Sequence, residues 1–516
     1  MNAYWRVKVC GLILSGVAGL QLHAHAAATE LQPSGQDDQP AIQAALDALP
    51  ASGGTVILGS GVFVLSAPIE MPSDRPVTLR GQGDASVLVL DAGHVDRLRS
   101  RPMSDWDGVT VPGRHRPLLV LRGGPAIRIQ DLAIGAAGTG ILLAVDDPVV
   151  DYDRVDITGL RFEQVHTAIR TEGAVDVLIH HIAIRDCRVR HAHVGIALHN
   201  SRIARADLTG NTLQDLSFRG IMVGNNDAGE GFFRHNVTIA DNVIRDIINE
   251  TDAHVVGIQG YGVGFRVANN RIENVRTTGP RGQGIYVKVS YAHVVDNLLI
   301  DAGGRVGAIA FVGLRRESQR IRNPAHSSII AGNIIRYENP SFPNPRGIDL
   351  RAQELLVSGN IVEGFTTGIV SRRGGHLTIV NNRLAHPASQ AGPIAGITCY
   401  IATGAREIGE EQNWMVQGNE LYAFHGGDQE VAGIVFRNHS AGGEVPPRMD
   451  QIVISGNLLT DFSSTTEAVG IRLTEESRGG GMARVRVRDN LIHEVPTAVV
   501  TDGPIEDMII QGIDDE

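Results

Sequence analysis

The sequence predicts an all-β solenoid, a parallel β-helix, and three observations carry that prediction. A Gly-Ile phrase, twice with Ala for Gly, recurs twelve times between Gly140 and Gly470. A second phrase, an Asn followed by alternating apolar residues, recurs between its copies from Asn211 to Asn490. Successive Gly-Ile phrases lie 21 to 28 residues apart in the plain repeats and 37 to 39 apart in four long ones, intervals typical of a solenoid or array. Each interval has room for two or three short strands, shows no helical period and carries no Trp-Asp signature. That combination selects a parallel β-helix over a propeller or a helical repeat.

The N-terminus reads as a separate segment. Arg6 and Lys8 precede an apolar run from Val9 to Leu22, and Ala24-His25-Ala26 follows. This charge, core and A-x-A order is that of a secretory signal over residues 1–26, with cleavage after Ala26 or Ala28. The apolar run is too short to span a bilayer, and Cys10 precedes most of it, which is poor placement for a lipid-bearing cysteine. No later stretch is apolar enough to cross a membrane. The expectation is an exported protein, periplasmic or extracellular, with a cap and first coils over residues 27–90 and the β-helix body over 91–516.

Composition narrows the function classes. Hydrophobic residues are 42% of the 516 and aromatics 4%, values of neither a disordered chain nor a membrane protein. The net charge of −11 becomes −13 without residues 1–26, which hold two cations and no acid. So acidic a chain is a poor nucleic-acid binder. Of the cysteines, Cys187 and Cys399 stand many repeats apart and are expected as small buried residues without a disulfide. The sequence sets no oligomeric state.

Residues 35–90 open the fold. Asp38 is placed to cap a helix with Pro40 in its first turn and Ile42, Leu46 and Leu49 on one face, ended by Pro50 and Gly53-Gly54. Short β runs follow, separated by Gly, Pro and Asp turns. This stretch, GQDDQPAIQAALDALPASGGTVILGSGVFVLSAPIEMPSDRPVTLRGQG, resembles the N-terminal cap and first coils of the pectate-lyase-like right-handed parallel β-helix superfamily. The resemblance implies a right-handed helix of strands whose open end is closed by a short amphipathic helix. Lyases, hydrolases, epimerases and phage tailspikes share that architecture, so it leaves activity open; the signal segment argues against a tailspike.

The Asn row is expected to stack along the axis, each amide bonding its neighbour and turn backbone. A parallel stack exposes an unpaired strand at each end. The helix over residues 38–49 is expected to cover the first, and a charged tail with Glu506, Asp507, Asp514, Asp515 and Glu516 to protect the last. The long repeats carry insertions at 225–236, 315–328, 403–413 and 440–449, where a rigid stack usually carries its specific function.

Alternation along a strand separates side chains available for chemistry from those in the core. With each phrase isoleucine inward, two outward rows follow. The nearer holds Gln259, Tyr286, Asp349, Thr398 and Arg472; the farther holds His199, Tyr261, Lys288, Arg351, Arg372, Tyr400 and Arg437. Val287, Leu350, Cys399 and Phe436 face inward. Seven coils at ~4.8 Å spacing make a groove of roughly 30 Å, long enough for several sugars. Cations, rings and amides dominate its rows although the chain is acidic, which focuses an anionic, extended ligand. His199, Gln259, Asp349, Arg351, Arg372, Tyr400 and Arg437 are the candidate binding residues, and an anionic polysaccharide is the expected partner.

Lys288 is the only lysine after Lys8. A β-eliminating lyase must take a weakly acidic proton from the carbon beside a uronate carboxylate, after an Arg or a Ca²⁺ ion has neutralised that carboxylate. Lys288 can serve as the base if burial and nearby cations lower its pKa, which no arginine can readily do. Tyr261 or Tyr286 can pass a proton to the leaving oxygen, Arg351 suits a clamp on an adjacent sugar, and Arg315 and Arg316 can reach over from a loop. The phrase GIYVKVSYAHVVDNLLID resembles the lysine-bearing strand of β-helix lyases acting on alginate or chondroitin-type polymers. That resemblance implies Lys as base and an Arg from a nearby coil as acid; Val312 holds the aligned position here, so Arg315 would replace it.

Other readings stay open. The same abstraction with reprotonation on the other face gives a C5-epimerase. A hydrolase needs two or three carboxylates facing one cleft, for which Asp146, Asp147, Asp151, Asp153, Asp227, Glu230 and Asp349 are available. The Gly-His-Gly motif of polygalacturonase-like hydrolases is absent. The acidic loops solvate turns, with Ca²⁺ as the minority reading, and His180-His181 and His191-x-His193 lack a third metal ligand. A noncatalytic glycan-binding surface protein is the remaining class. No cofactor is required by any of these beyond the Ca²⁺ option.

Overall fold

The computed structural model describes residues 27–514 apart from 91–115, 136–137, 146–149, 174–176, 200–201, 225–233, 280, 313–326, 340–344, 353, 373–374, 387–392, 402–410, 439–447 and 477–480. Among these residues thirty-nine strands stack as parallel ladders, with one α-helix at the start. One circuit shows the plan. The strand Gln283–Val295 leads into Leu298–Ala302 and then Ile309–Val312. Each position meets its counterpart one repeat on, Ile285 with Ile309, Val294 with Ile330 and Leu298 with Ile334.

The repeated phrases supply the core and its tolerances. The isoleucine of all twelve Gly-Ile phrases, Ile141 to Ile471, is fully buried, each worth about 1.5–3 kcal/mol over exposure. The glycine beside it lies against the next coil. A Cβ at Gly257 would sit 2.6 Å from the carbonyl oxygen of Gly284, and one at Gly220 2.5 Å from that of Gly257. Ten of the twelve phrase positions carry no side chain at this close approach, and Ala168 and Ala308 carry only a methyl.

The second phrase forms the expected stack. Each asparagine from Asn211 to Asn457 donates from Nδ2 to Oδ1 of the next at 2.9–3.0 Å. The same oxygen accepts the backbone N–H of the asparagine before it, as Asn242 does from Asn211 and Asn270 from Asn242. The residue immediately before each ladder asparagine is Gly, Asn or Asp, and all ten, from Gly210 to Asp489, have φ between 54° and 68°. Only such residues adopt this left-handed turn cheaply, which accounts for part of the glycine content.

The two ends differ. The helix Gln39–Asp47 buries Ile42 and Leu46 over the first coil. Asp38 occupies its N-cap position, but its carboxylate accepts the Ser34 N–H at 2.7 Å and the Val64 N–H at 3.2 Å instead of capping the helix; Asp37 takes the Gln39 N–H. At the other end Glu506 and Asp507 do not fold over the stack. Residues Ile505–Asp514 are a further strand, Glu506 and Asp507 pair with Arg448 and Arg486, and Ile509 and Ile510 stay exposed. Cys187 and Cys399 are buried free thiols. Among the described residues no helix is long and apolar enough to cross a membrane. Residues 1–26, Asp515 and Glu516 lie outside those described.

Candidate functional site

The strands that begin at the Gly-Ile phrases form one continuous sheet face, and their pairing aligns the outward rows. Gln259 stands opposite Tyr286 and Tyr261 opposite Lys288; Ala310 stands opposite Asp349 and Val312 opposite Arg351. Farther along, Arg372, Tyr400 and Arg437 follow one another in the same column, as do Thr398, Val435 and Arg472. Val287, Leu350, Cys399 and Phe436 point into the core.

Around Lys288 the structure gathers an aromatic and amide cluster. Lys288 and Tyr286 are both half-buried on the outer face. The Tyr261 and Tyr286 rings meet edge-on at 6.2 Å, and the His254 ring meets Tyr286 edge-on at 5.4 Å. Burial pushes the Tyr286 hydroxyl up to about 12, so it is protonated at neutral pH. Burial likewise lowers the His254 pKa, with Arg219 and Arg281 acting in the same direction and the Gln283 hydrogen bond opposing. His254 Nε2 is hydrogen-bonded to the Gln283 side-chain amide. Burial also lowers the His199 pKa, aided by Arg170 and Arg219.

Two residues of the nearer row lie deeper than alternation alone indicates. Gln259 is 1% exposed and its amide donates to the Tyr261 hydroxyl, so it braces a ring. Asp349 is 0% exposed beneath Arg372 at 3.0 Å, Arg351 at 3.3 Å and Arg346 at 3.6 Å. Its burial raises its pKa against the pull of Arg351 and Arg346. The carboxylate therefore orients arginines and is shielded from a ligand. Beyond Arg372 the cations are answered locally: Arg437 pairs with Glu476 at 2.8 Å, and Arg472 with Glu467 at 2.6 Å and Glu430 at 3.4 Å. At the Asp349 coil and the one after it, three arginines surround one carboxylate.

His254, Gln283, Arg219 and Arg346 were not singled out from the sequence. Three of them share a signal, since Arg219, Gln283 and Arg346 each directly precede a phrase glycine, Gly220, Gly284 and Gly347. His254 has no such mark because it sits in the turn before a strand. Arg315, Arg316, Asp146, Asp147, Asp227 and Glu230 lie outside the described residues. Asp151 accepts the Leu178 N–H, a turn role. His181 pairs with Asp207, His191 with Glu163 and His193 with Ser217. Among the described residues no group of three or more His, Cys, Asp or Glu can hold a metal ion.

Residues 180–391 match the family described as the right handed beta helix region. The chain is a right-handed parallel β-helix. No curated protein matches it. Among solved structures, the β-helix is similar to a surface adhesin of Streptococcus pneumoniae, at 13% identity and TM-score 0.47 over 81% of this chain and 94% of that one. It is also similar to a tailspike protein of an E. coli bacteriophage crystallised with a hexasaccharide, at 12% identity and TM-score 0.43 over 92% and 76%. A third is the A-module of a mannuronan C-5 epimerase of Azotobacter vinelandii, at 15% identity and TM-score 0.30 over 93% and 96%. These likenesses are of fold alone.

Proposed function

We propose that the β-helix is an exported, polysaccharide-active enzyme that cleaves a uronic-acid-containing polymer by β-elimination. The observation that carries this reading is the placement of Lys288. It lies outward beside two tyrosines, in a groove whose neighbouring coils hold three arginines over one carboxylate. In this reading Lys288, as a neutral amine, takes the proton from the ring carbon beside the uronate carboxylate. The electron pair becomes a carbon–carbon double bond as the glycosidic carbon–oxygen bond on the adjacent ring carbon breaks. Tyr286, protonated at neutral pH, donates to the leaving oxygen. Tyr261 and His254 each hold the Tyr286 ring by an edge-on contact. Arg219, whose charge acts on Tyr286, offsets the charge that builds on the carboxylate.

The test is a panel of uronate polymers incubated with the protein while ultraviolet absorbance of unsaturated ends and reducing ends are followed together. Absorbance rising with reducing ends supports elimination. Reducing ends without absorbance mean hydrolysis, altered stereochemistry by NMR without cleavage means epimerisation, and binding without conversion means a noncatalytic glycan binder. Each of the last three outcomes overturns the proposal.

A further inference from the structure

The Asp349 cluster is built for a ligand that Asp349 itself does not satisfy. Its three arginines come from different points of the fold. Arg346 precedes the phrase glycine, Arg351 ends the same strand, and Arg372 ends the strand one coil on. All three converge on one carboxylate oxygen, Asp349 Oδ2. Each guanidinium carries five N–H donors, far more than two carboxylate oxygens can take, and three positive charges face one negative. Asp349 is wholly buried while the Arg351 side chain is 37% and the Arg372 side chain 23% exposed. The carboxylate is thus a keel, and the guanidinium forks it holds face the groove, with the planar geometry that reads a second carboxylate.

Its position along the groove adds a distance. Val287 pairs with Phe311 and Val312 with Arg351; continued by one residue, that register sets Arg351 two coils from Lys288, about 10 Å. One pyranose ring is about as long as one coil step of ~4.8 Å, and a glycan laid along the axis advances about one ring per coil. Where successive rings alternate in orientation, groups on one edge recur on every second ring, which is the same two-coil interval.

From this we infer that Arg346, Arg351 and Arg372 form a second acid-reading subsite, taking the carboxylate two rings away from the ring that Lys288 deprotonates. The inference rests on the groove reading above and sharpens its substrate. The polymer carries an acidic group on at least every second ring, and three consecutive rings are the shortest ligand that fills both positions.

Saturated oligouronates of two, three and four rings, titrated calorimetrically into the full chain carrying Lys288→Ala, test this without turnover. Affinity is expected to rise about tenfold from two rings to three and little from three to four, as one charge-assisted contact is gained. Arg351→Gln, which leaves Arg346 and Arg372 on Asp349, is expected to abolish that step with the melting curve preserved; Arg372→Gln is the second variant. Affinity rising evenly with length, or the same step in both variants, overturns the inference. If the polymer is cleaved with unsaturated products yet no step is found, elimination stands and this subsite alone falls. If no oligouronate of any length binds, the groove reading falls with it.

Discussion

Lys288 and Tyr261 stand directly opposite each other on adjacent coils, paired strand to strand, and Tyr286, two residues before Lys288, lays its ring edge-on to that of Tyr261. A potential base and a protonated phenol are therefore held by backbone ladders and not by a loop. Rigid placement of this kind is what makes proton transfer between fixed groups effective.

Replacing Lys288 by Ala is expected to lower kcat about 10²- to 10⁴-fold, the usual share of a general base, with an unchanged circular dichroism melt because the side chain lies on the outer face. Lys288→Arg is expected to remain as poor, since a guanidinium stays protonated. Full activity in either folded variant would remove Lys288 from the chemistry.

Stability should depend on pH through His254 and His199. Both have folded pKa values lowered mainly by burial, so the folded state binds fewer protons than the unfolded one. Their contribution is complete above the ordinary histidine value of about 6.5 and is lost as the pH falls from there through the folded values. Thermal melts between pH 8 and pH 5 should show a falling midpoint below that value, with a shallower fall in His254→Gln. A wild-type midpoint flat across this window contradicts the burial argument.

Asn297 sits mid-ladder, 1% exposed, donating to Asn333 Oδ1 and to Val267 and Val295 carbonyls while accepting from Asn270. Asn297→Ala leaves those groups without partners at about 1–3 kcal/mol each, so urea unfolding should show a loss of roughly 3 kcal/mol or more. Asn297→Asp is expected to cost as much, because a carboxylate cannot donate to Asn333. A loss under about 1 kcal/mol in both would show the ladder to be ornamental.

Burial raises the thiol pKa values of Cys187, to about 12, and of Cys399. Alkylation at pH 8 followed by peptide mass mapping should leave both unmodified in the folded protein and modify both in denaturant. Modification of Cys399 under native conditions would mean that the groove sheet opens far more readily than its packing indicates.

Legibility in the sequence followed locality. The twelve phrase isoleucines are buried and Tyr286, Lys288, Arg351 and Arg372 face outward, as period-two alternation indicates. The asparagine stack was equally readable, because an identical residue recurs at the same point of ten successive coils, from Asn211 to Asn490. The left-handed Gly, Asn or Asp before each asparagine was just as available, since φ depends on the residue itself. His254 escaped because a turn residue has no period, and the capping role expected of Asp38 failed because Val64, 26 residues on, offered its carboxylate an N–H.

What the sequence determined by itself is the sheet face of each side chain, since inward and outward are properties of one strand. How deep an outward residue lies and which charges answer it were decided only by the stacked coils. Asp349 and Gln259 share the nearer row with half-buried Tyr286, yet both are closed off by side chains around them. Arg437 and Arg351 share the farther row, yet one is matched by Glu476 and the other joins an arginine excess. Electrostatic and steric neighbours in a solenoid come from other coils, 21 to 39 residues away, and strand alternation says nothing about them.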